Sequence, residues 1–273
     1  MNVVSLFDGI SCGQLALRKA GIPVTTYFAS EVDKNAIKVT QHNFPDTIQL
    51  GDVTALDGTM LAGADLLIGG SPCQGFSSAG LGLNFEDPRS ALFFEFVRLR
   101  DEIGPKYFLL ENVNMKAEHR DVITQFLGVE PIRINSSDFV PALRDRWYWT
   151  NIPIEPWVPN GSILADVLED GFVDREKSRR KLVFMKQLPH GWNKGFEQET
   201  EKAPTLTTSG WQHNNFVSRD KVKWRKLTPR ECERLQGVPD DYTACVSDTA
   251  RYHALGNGWT VDVIAHIFKG LAA

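Results

Sequence analysis

A chain of 273 residues, 42% hydrophobic and 23% charged, has enough apolar material for one large domain, or for a catalytic domain with a small insertion. It contains no run of about 18 apolar residues, and Asp8 interrupts the first apolar stretch with no basic region ahead of it, so neither a membrane span nor a signal peptide is indicated and an intracellular protein is expected. The net charge of −4 hides an asymmetry, because residues 174–230 carry 14 Lys and Arg against 6 Asp and Glu, a basic segment in an otherwise acidic protein, as a polyanion-binding face requires.

Residues 2–7 read as a buried strand and 13–20 as the helix after it, closed by Gly21 with Pro23 beyond. The joining turn, Phe7-Asp8-Gly9-Ile10-Ser11-Cys12-Gly13, is not a GxGxxG fingerprint, so it suits a cofactor without a pyrophosphate. Asp8 at the strand end could serve an ammonium, and the N–H groups opening the helix could serve a carboxylate. S-adenosylmethionine carries both groups. Residues 24–30 form a second strand ending in Glu31, a candidate acceptor for ribose hydroxyls, and a helix follows at 34–43. A third short strand ends at Gly51-Asp52-Val53, where Asp52 could take an adenine amino group while Val53 packs on the ring. Each acid alone would serve equally well as a helix cap; at successive strand ends they outline a nucleoside pocket.

The apolar run 65–68 reads as a strand leading into Gly69-Gly70-Ser71-Pro72-Cys73-Gln74, which places one thiol at the mouth of an open α/β sheet. A free cysteine is as often a small buried hydrophobe as a nucleophile. The other cysteines, Cys12, Cys232 and Cys245, form no CxxC pair with it, and the histidines show no HxxxH spacing, so neither a metal site nor a disulfide framework is expected. Residues 75–88 form a glycine-hinged loop with apolar tips, a lid-like connection. A helix over 90–103 offers Leu92, Phe93, Phe96, Val97 and Leu99 mainly to the core. The strand at 106–110 delivers Glu111, a helix follows at 118–127, and 132–134 is a short strand. Arg144 and Arg146 precede an aromatic strand; two apart, they are expected to point the same way.

Six segments in this order resemble the cytosine-5 DNA methyltransferase family, most of all the branch that includes the animal de novo enzymes. They are Phe7 to Gly13, Gly70-Ser71-Pro72-Cys73-Gln74, Glu111-Asn112-Val113, Arg144-Asp145-Arg146, Leu227-Thr228-Pro229-Arg230-Glu231-Cys232 with Leu235-Gln236-Gly237-Val238-Pro239, and Gly256-Asn257-Gly258-Trp259-Thr260-Val261. The resemblance spans nearly the whole chain. It implies an α/β, Rossmann-like S-adenosylmethionine-dependent methyltransferase fold with a mostly parallel sheet and a small target-recognition subdomain. Cys73 then corresponds to the thiolate that adds to C6 of a flipped-out cytosine, Glu111 to the carboxyl that protonates N3, and Arg146 to the group near O2, with Arg144 supporting the site. For the cofactor the resemblance assigns Phe7, Asp8, Glu31, Asp52, Val53, Pro72, Leu92, Asn257 and Trp259, with Gly9, Val32 and Gly70 beside them. Two positions depart from the family pattern: Ala142 stands where a glutamine is frequent, and Gly258 where many members have serine.

The resemblance divides the chain into a catalytic part at 1–151, a target-recognition region at 152–226 and a C-terminal return at 227–273, whose helix over about 260–270 completes the cofactor pocket. The recognition region is polar, basic and aromatic. Gln212, Asn214 and Asn215 suit base edges and Arg179, Arg180 and Lys181 suit phosphates, with Gln74, Ser77 and Thr207 as further DNA contacts. The expected partner is duplex DNA, and the oligomeric state is left open, a monomer included. Transfer RNA is the alternative substrate, and a non-catalytic DNA-binding relative the alternative class. The methylated sequence is not legible, CG being only borrowed from the nearest branch.

Overall fold

Strand β1 (Asn2–Leu6) is buried over all but its first residue because both faces of its sheet are covered, the usual condition of a parallel strand. The computed structural model describes residues 1–71, 88–169, 183–189, 194–208 and 215–272. They form two compact units. The first comprises Met1–Asn135, Asp145–Pro156 and Ile264–Ala273, and the second Ser136–Arg144 and Trp157–Val263.

In the first unit β1 is followed by α1 (Cys12–Ala20), β2 (Thr26–Ser30), α2 (Lys34–Asn43), β3 (Ile48–Gln49), β4 (Leu66–Gly69), α3 (Pro88–Ile103), β5 (Tyr107–Val113), α4 (Ala117–Leu127), β6 (Ile132–Asn135) and β7 (Asp145–Thr150). The sheet order is β3-β2-β1-β4-β5-β7-β6. Strands β1 to β5 run parallel, and β7 is antiparallel to both of its neighbours. This is the mostly parallel, Rossmann-like arrangement the sequence implied. The chain moves outward from β1 to β3 and returns to β4 on the other side, so the carboxyl ends of β1 and β4 flank the crevice where open sheets bind ligands. One face of the sheet packs Val4, Leu6, Leu67, Leu110 and Trp149 against Phe93, Phe96 and Leu99 of α3. Burial of each large side chain contributes about 1.5–3 kcal/mol.

Several boundaries differ from expectation. Strand β1 ends one residue early because Phe7 adopts φ 57, outside the extended region. Strand β5 runs on to Val113 instead of stopping at 110, because β7 pairs with it through Val113↔Arg146. Helix α3 begins at Pro88, two residues before its expected start, since proline's fixed φ suits a first helical turn.

The second unit contains an antiparallel sheet of order β11-β10-β8-β9, built from β8 (Phe184–Gln187), β9 (Phe196–Glu199), β10 (Phe216–Ser218) and β11 (Arg225–Lys226). Helices α5 (Pro229–Leu235) and α6 (Asp248–Asn257) follow in this unit; α7 (Val261–Phe268), most of which belongs to the first unit, lies within the C-terminal helix expected at 260–270. The start of α5 is set by a capping box between Thr228 and Glu231. Glu231 is fully buried and multiply bound: it receives Arg225 at 2.6 and 2.8 Å and the Glu169 backbone N–H at 2.9 Å. One carboxylate thereby ties Glu169, β11 and α5 together. Among the described residues no helix is long and apolar enough to cross a membrane.

Candidate active site

Three residues of the turn after β1 adopt left-handed backbone conformations, Phe7 at φ 57, Gly9 at φ 59 and Ser11 at φ 56. For Phe and Ser this conformation is uncommon and costs energy, so the surrounding structure must hold it. Ser11 is the N-cap of α1, yet its hydroxyl makes no capping bond and donates instead to Asp8 Oδ2. The Tyr27 hydroxyl donates to Asp8 Oδ1 at 2.8 Å. Burial pushes the Asp8 carboxyl up to about 6, against the lowering effect of the hydroxyls of Ser11, Ser5 and Tyr27, and the nearby Glu31 charge adds to the rise.

Glu31 fastens the ends of two strands. Its Oε2 accepts from the Gly9 N–H at 2.8 Å, and its Oε1 accepts from the N–H groups of Val32 and Asp33 at 2.7 and 2.8 Å. Asp52 Oδ1 takes the Thr54 N–H and hydroxyl, both at 2.9 Å, so this exposed acid does cap a helical turn and is held below its ordinary value by those bonds. Val53 is buried, whereas Val32 beside Glu31 stays 68% exposed. These groups offer what a zwitterionic nucleoside cofactor requires: an acid at the end of β1, a helix start whose N-cap hydroxyl is turned elsewhere, an acid at the end of β2, and an exposed apolar side chain beside it. Leu92 packs half-buried against the α3 side of the core.

On β5 the side chain of Glu111 is a diagonal neighbour of Arg146 on β7, because the registers Glu111↔Tyr148 and Val113↔Arg146 put all four residues on one face. Arg146 Nε lies 2.9 Å from Glu111 Oε1. The N–H does not line up with that oxygen, so the contact is an ion pair without a formed hydrogen bond, and both buried atoms keep capacity for a third polar group. On the opposite face Asn112 donates to the Ser71 hydroxyl at 3.3 Å, which ties the segment after β4 to the strand carrying Glu111. Gly70 precedes that buried serine.

In the second unit, Arg144 precedes the strand that carries Arg146 and does not share it. Its buried guanidinium donates to the carbonyls of Gly256 at 3.2 Å, Asn257 at 3.4 Å and Leu206 at 3.5 Å. The first two lie in the last turn of α6, where carbonyls lack helical partners. The Ala142 backbone pairs with Ala203. A Cβ on Gly256 would sit 2.4 Å from the Thr207 carbonyl carbon, so only glycine allows this approach. Asn257 is exposed and Trp259 half-buried. Asn215 is corrected as a base reader: it is 0% exposed, and its Oδ1 accepts from Gln187, so it braces β10 against β8 from within. Sequence reasoning missed Tyr27, although the alternation of β2 and the small Gly13 in the preceding helix were signals.

Of the residues expected to contact cofactor, base or DNA, Pro72, Cys73, Gln74, Ser77, Arg179, Arg180, Lys181, Gln212 and Asn214 lie outside the described residues. Among the described residues no cluster of acids, histidines and cysteines forms a metal site.

Comparison with known proteins gives a consistent result. The model of the C-5 cytosine-specific DNA methylase family matches residues 1–153 and 160–273. The chain is similar to the Type II methyltransferase M1.ScrFI of Lactococcus lactis subsp. cremoris, 32% identical over 96% of this chain and 76% of the relative. It is 31% identical to the Type II methyltransferase M.NgoBI of Neisseria gonorrhoeae, over 96% of this chain and 90% of the relative. Among solved structures, the Entamoeba histolytica methyltransferase EhMeth has the same fold, with a TM-score of 0.75 at 18% identity over 99% of this chain and 97% of the other. The S. pombe Dnmt2 methyltransferase aligns over the full length of both chains with a TM-score of 0.70 and 19% identity.

Proposed function

The chain belongs to the C-5 cytosine-specific DNA methylase family, and from that premise we propose how its own residues carry out the reaction. The enzyme transfers a methyl group from S-adenosylmethionine to C5 of cytosine in DNA. When bound, the cofactor supplies the methyl group in electrophilic form. Asp8 holds its ammonium, the start of α1 its carboxylate, Glu31 its ribose and Asp52 its adenine, with Val32 and Val53 against the ring. Phe7, Gly9, Gly70, Pro72 and Leu92 complete that set.

The thiolate of Cys73 adds to C6 of the cytosine. A neutral cytosine ring is too electron-rich to accept it, so the Glu111 carboxyl gives a proton to N3 as the bond to C6 forms. Arg146 steadies that carboxyl and donates to O2. After C5 is methylated, its proton passes to water acting as base, the bond from Cys73 to C6 breaks to release the thiolate, and the proton on N3 returns to Glu111. The observation that carries this reading is the buried Glu111–Arg146 pair, whose facing atoms retain hydrogen-bonding capacity on one face of adjacent strands.

The substrate is duplex DNA, from which the target base is extruded at a cost of a few kcal/mol. Residues 152–226 act as the target-recognition region, and the excess of basic residues at 174–230 supports phosphate contacts there. The reaction takes place inside the cell. The test is bisulfite sequencing of a mixed-sequence duplex after incubation with S-adenosylmethionine and the enzyme, its Cys73→Ala variant or its Glu111→Gln variant. Cytosines should be protected by the wild type alone, with the Glu111→Gln rate down by about 10²–10⁴. Protection by Cys73→Ala would overturn the covalent mechanism. Absence of protection on duplex by the wild type, with protection on folded transfer RNA, would overturn the duplex assignment.

A further inference from the structure

We propose that Tyr27 is a positioning residue for cofactor binding, its hydroxyl fixing the Asp8 carboxyl at the end of β1 in the orientation that receives the ammonium. This rests on the reading of Asp8 as the ammonium acceptor. Tyr27 lies on β2 opposite Val3 and is only 3% exposed, yet its hydroxyl reaches Asp8 Oδ1 at 2.8 Å. The route passes over Gly13: a Cβ there would lie 2.8 Å from the tyrosine oxygen and 2.5 Å from Ile68 Cδ1. Helix α1 therefore carries glycine where the hydroxyl crosses it.

The two oxygens of Asp8 are held from different elements, Oδ1 by Tyr27 and Oδ2 by Ser11, so the plane of the carboxyl is set and each oxygen keeps a lone pair for a further donor. Ser11 is itself fixed by Thr40 and Gln14, each at 3.2 Å from its hydroxyl, and Gln14 reaches Thr47 at 2.8 Å. This polar chain runs between α1 and α2 from the far side of the turn. The groups bearing on Asp8 are the hydroxyls of Ser5 on β1, Ser11 and Tyr27, and the Glu31 charge at the end of β2. Each hydroxyl favours the ionised carboxylate, the form an ammonium needs, and Glu31 opposes it.

The experiment is calorimetric titration of S-adenosylmethionine into the full-length enzyme, its Tyr27→Phe and Asp8→Asn variants and the double variant, between pH 5 and 8. Steady-state kinetics and thermal unfolding of each accompany it. Tyr27→Phe should weaken binding roughly tenfold, raise KM for the cofactor in proportion and leave kcat at saturation within about twofold. It should also move the pH midpoint of binding upward, because the carboxylate loses a donor; a purely structural tyrosine would not shift it. In the Asp8→Asn background Tyr27→Phe should cost nothing further. Wild-type affinity and midpoint in a folded Tyr27→Phe protein would overturn the proposal, as would an equal loss in both backgrounds. If Asp8→Asn itself binds as the wild type does, the assignment of Asp8 fails and the proposal with it, whereas a weakened Asp8→Asn beside an unaffected Tyr27→Phe removes only the role of Tyr27.

Discussion

Asp8 is where a single proton changes the behaviour of the site. With its carboxyl pushed up to about 6, it is neutral in mildly acidic solution and ionised above. An ammonium prefers the ionised form, so cofactor affinity is expected to be level above pH 7 and to fall as pH drops through 6, approaching tenfold per unit. Asp8→Asn should bind weakly at every pH with no such slope, and titration across pH 5 to 8 checks this. The effect on stability has the opposite sign. Between the ordinary value of 3.8 and about 6 the folded protein holds a proton the unfolded chain has released, so Asp8 favours folding at low pH and this contribution is lost as pH rises through 6. A cofactor-free enzyme that gains stability over that window in an Asp8-dependent way would contradict the assignment. At this scale the positions of Asp8 and Glu31 after the first two strands were legible in the residue pattern, and those of Glu111 and Arg146 through the family motifs that contain them. Their partners were not, because hydrogen bonds such as Tyr27 to Asp8 join residues far apart in the chain.

At the scale of elements, Arg144 and Gly256 show how a motif serves the fold. Arg144 binds carbonyls at the end of α6 and at Leu206, while Gly256 lets the backbone at Thr207 pass against the helix. On an ordinary helix surface glycine to alanine stabilises by about 1 kcal/mol. Here the added methyl meets backbone that cannot move aside cheaply, so Gly256→Ala should lower the melting temperature by several degrees; an increase would show that the Thr207 segment is free to shift. Helix α2 was read to the residue because Asp33 caps its first turn, with its side chain on the Asn35 and Ala36 N–H groups. The sheet β11-β10-β8-β9 was missed. Its strands are two to four residues long, too short for alternation to stand out, and they exist through pairing with each other.

Over the whole molecule, a chain with net charge −4 that must approach DNA depends on where its charge lies. If the basic segment neutralises phosphates, affinity should fall steeply with salt, the slope lessening by about 0.9 for each contact removed from duplex DNA. Replacing Arg179 and Arg180 by alanine should flatten that slope, measured by fluorescence anisotropy at several salt concentrations. An unchanged slope would place the phosphate contacts elsewhere.

The sequence by itself determined the parallel half of the sheet, the strand ends that carry Asp8 and Glu31, and the family to which these motifs belong. Those features are local: apolar runs, turns and residue types within a few positions of one another. Only the tertiary structure decided that β5 extends through Glu111, that Arg144 turns to the carbonyls of α6 while Arg146 meets Glu111, and that Asn215 is buried beside Gln187. Each of these depends on pairing between segments distant in the chain, and such pairing is fixed by packing, which no local pattern encodes.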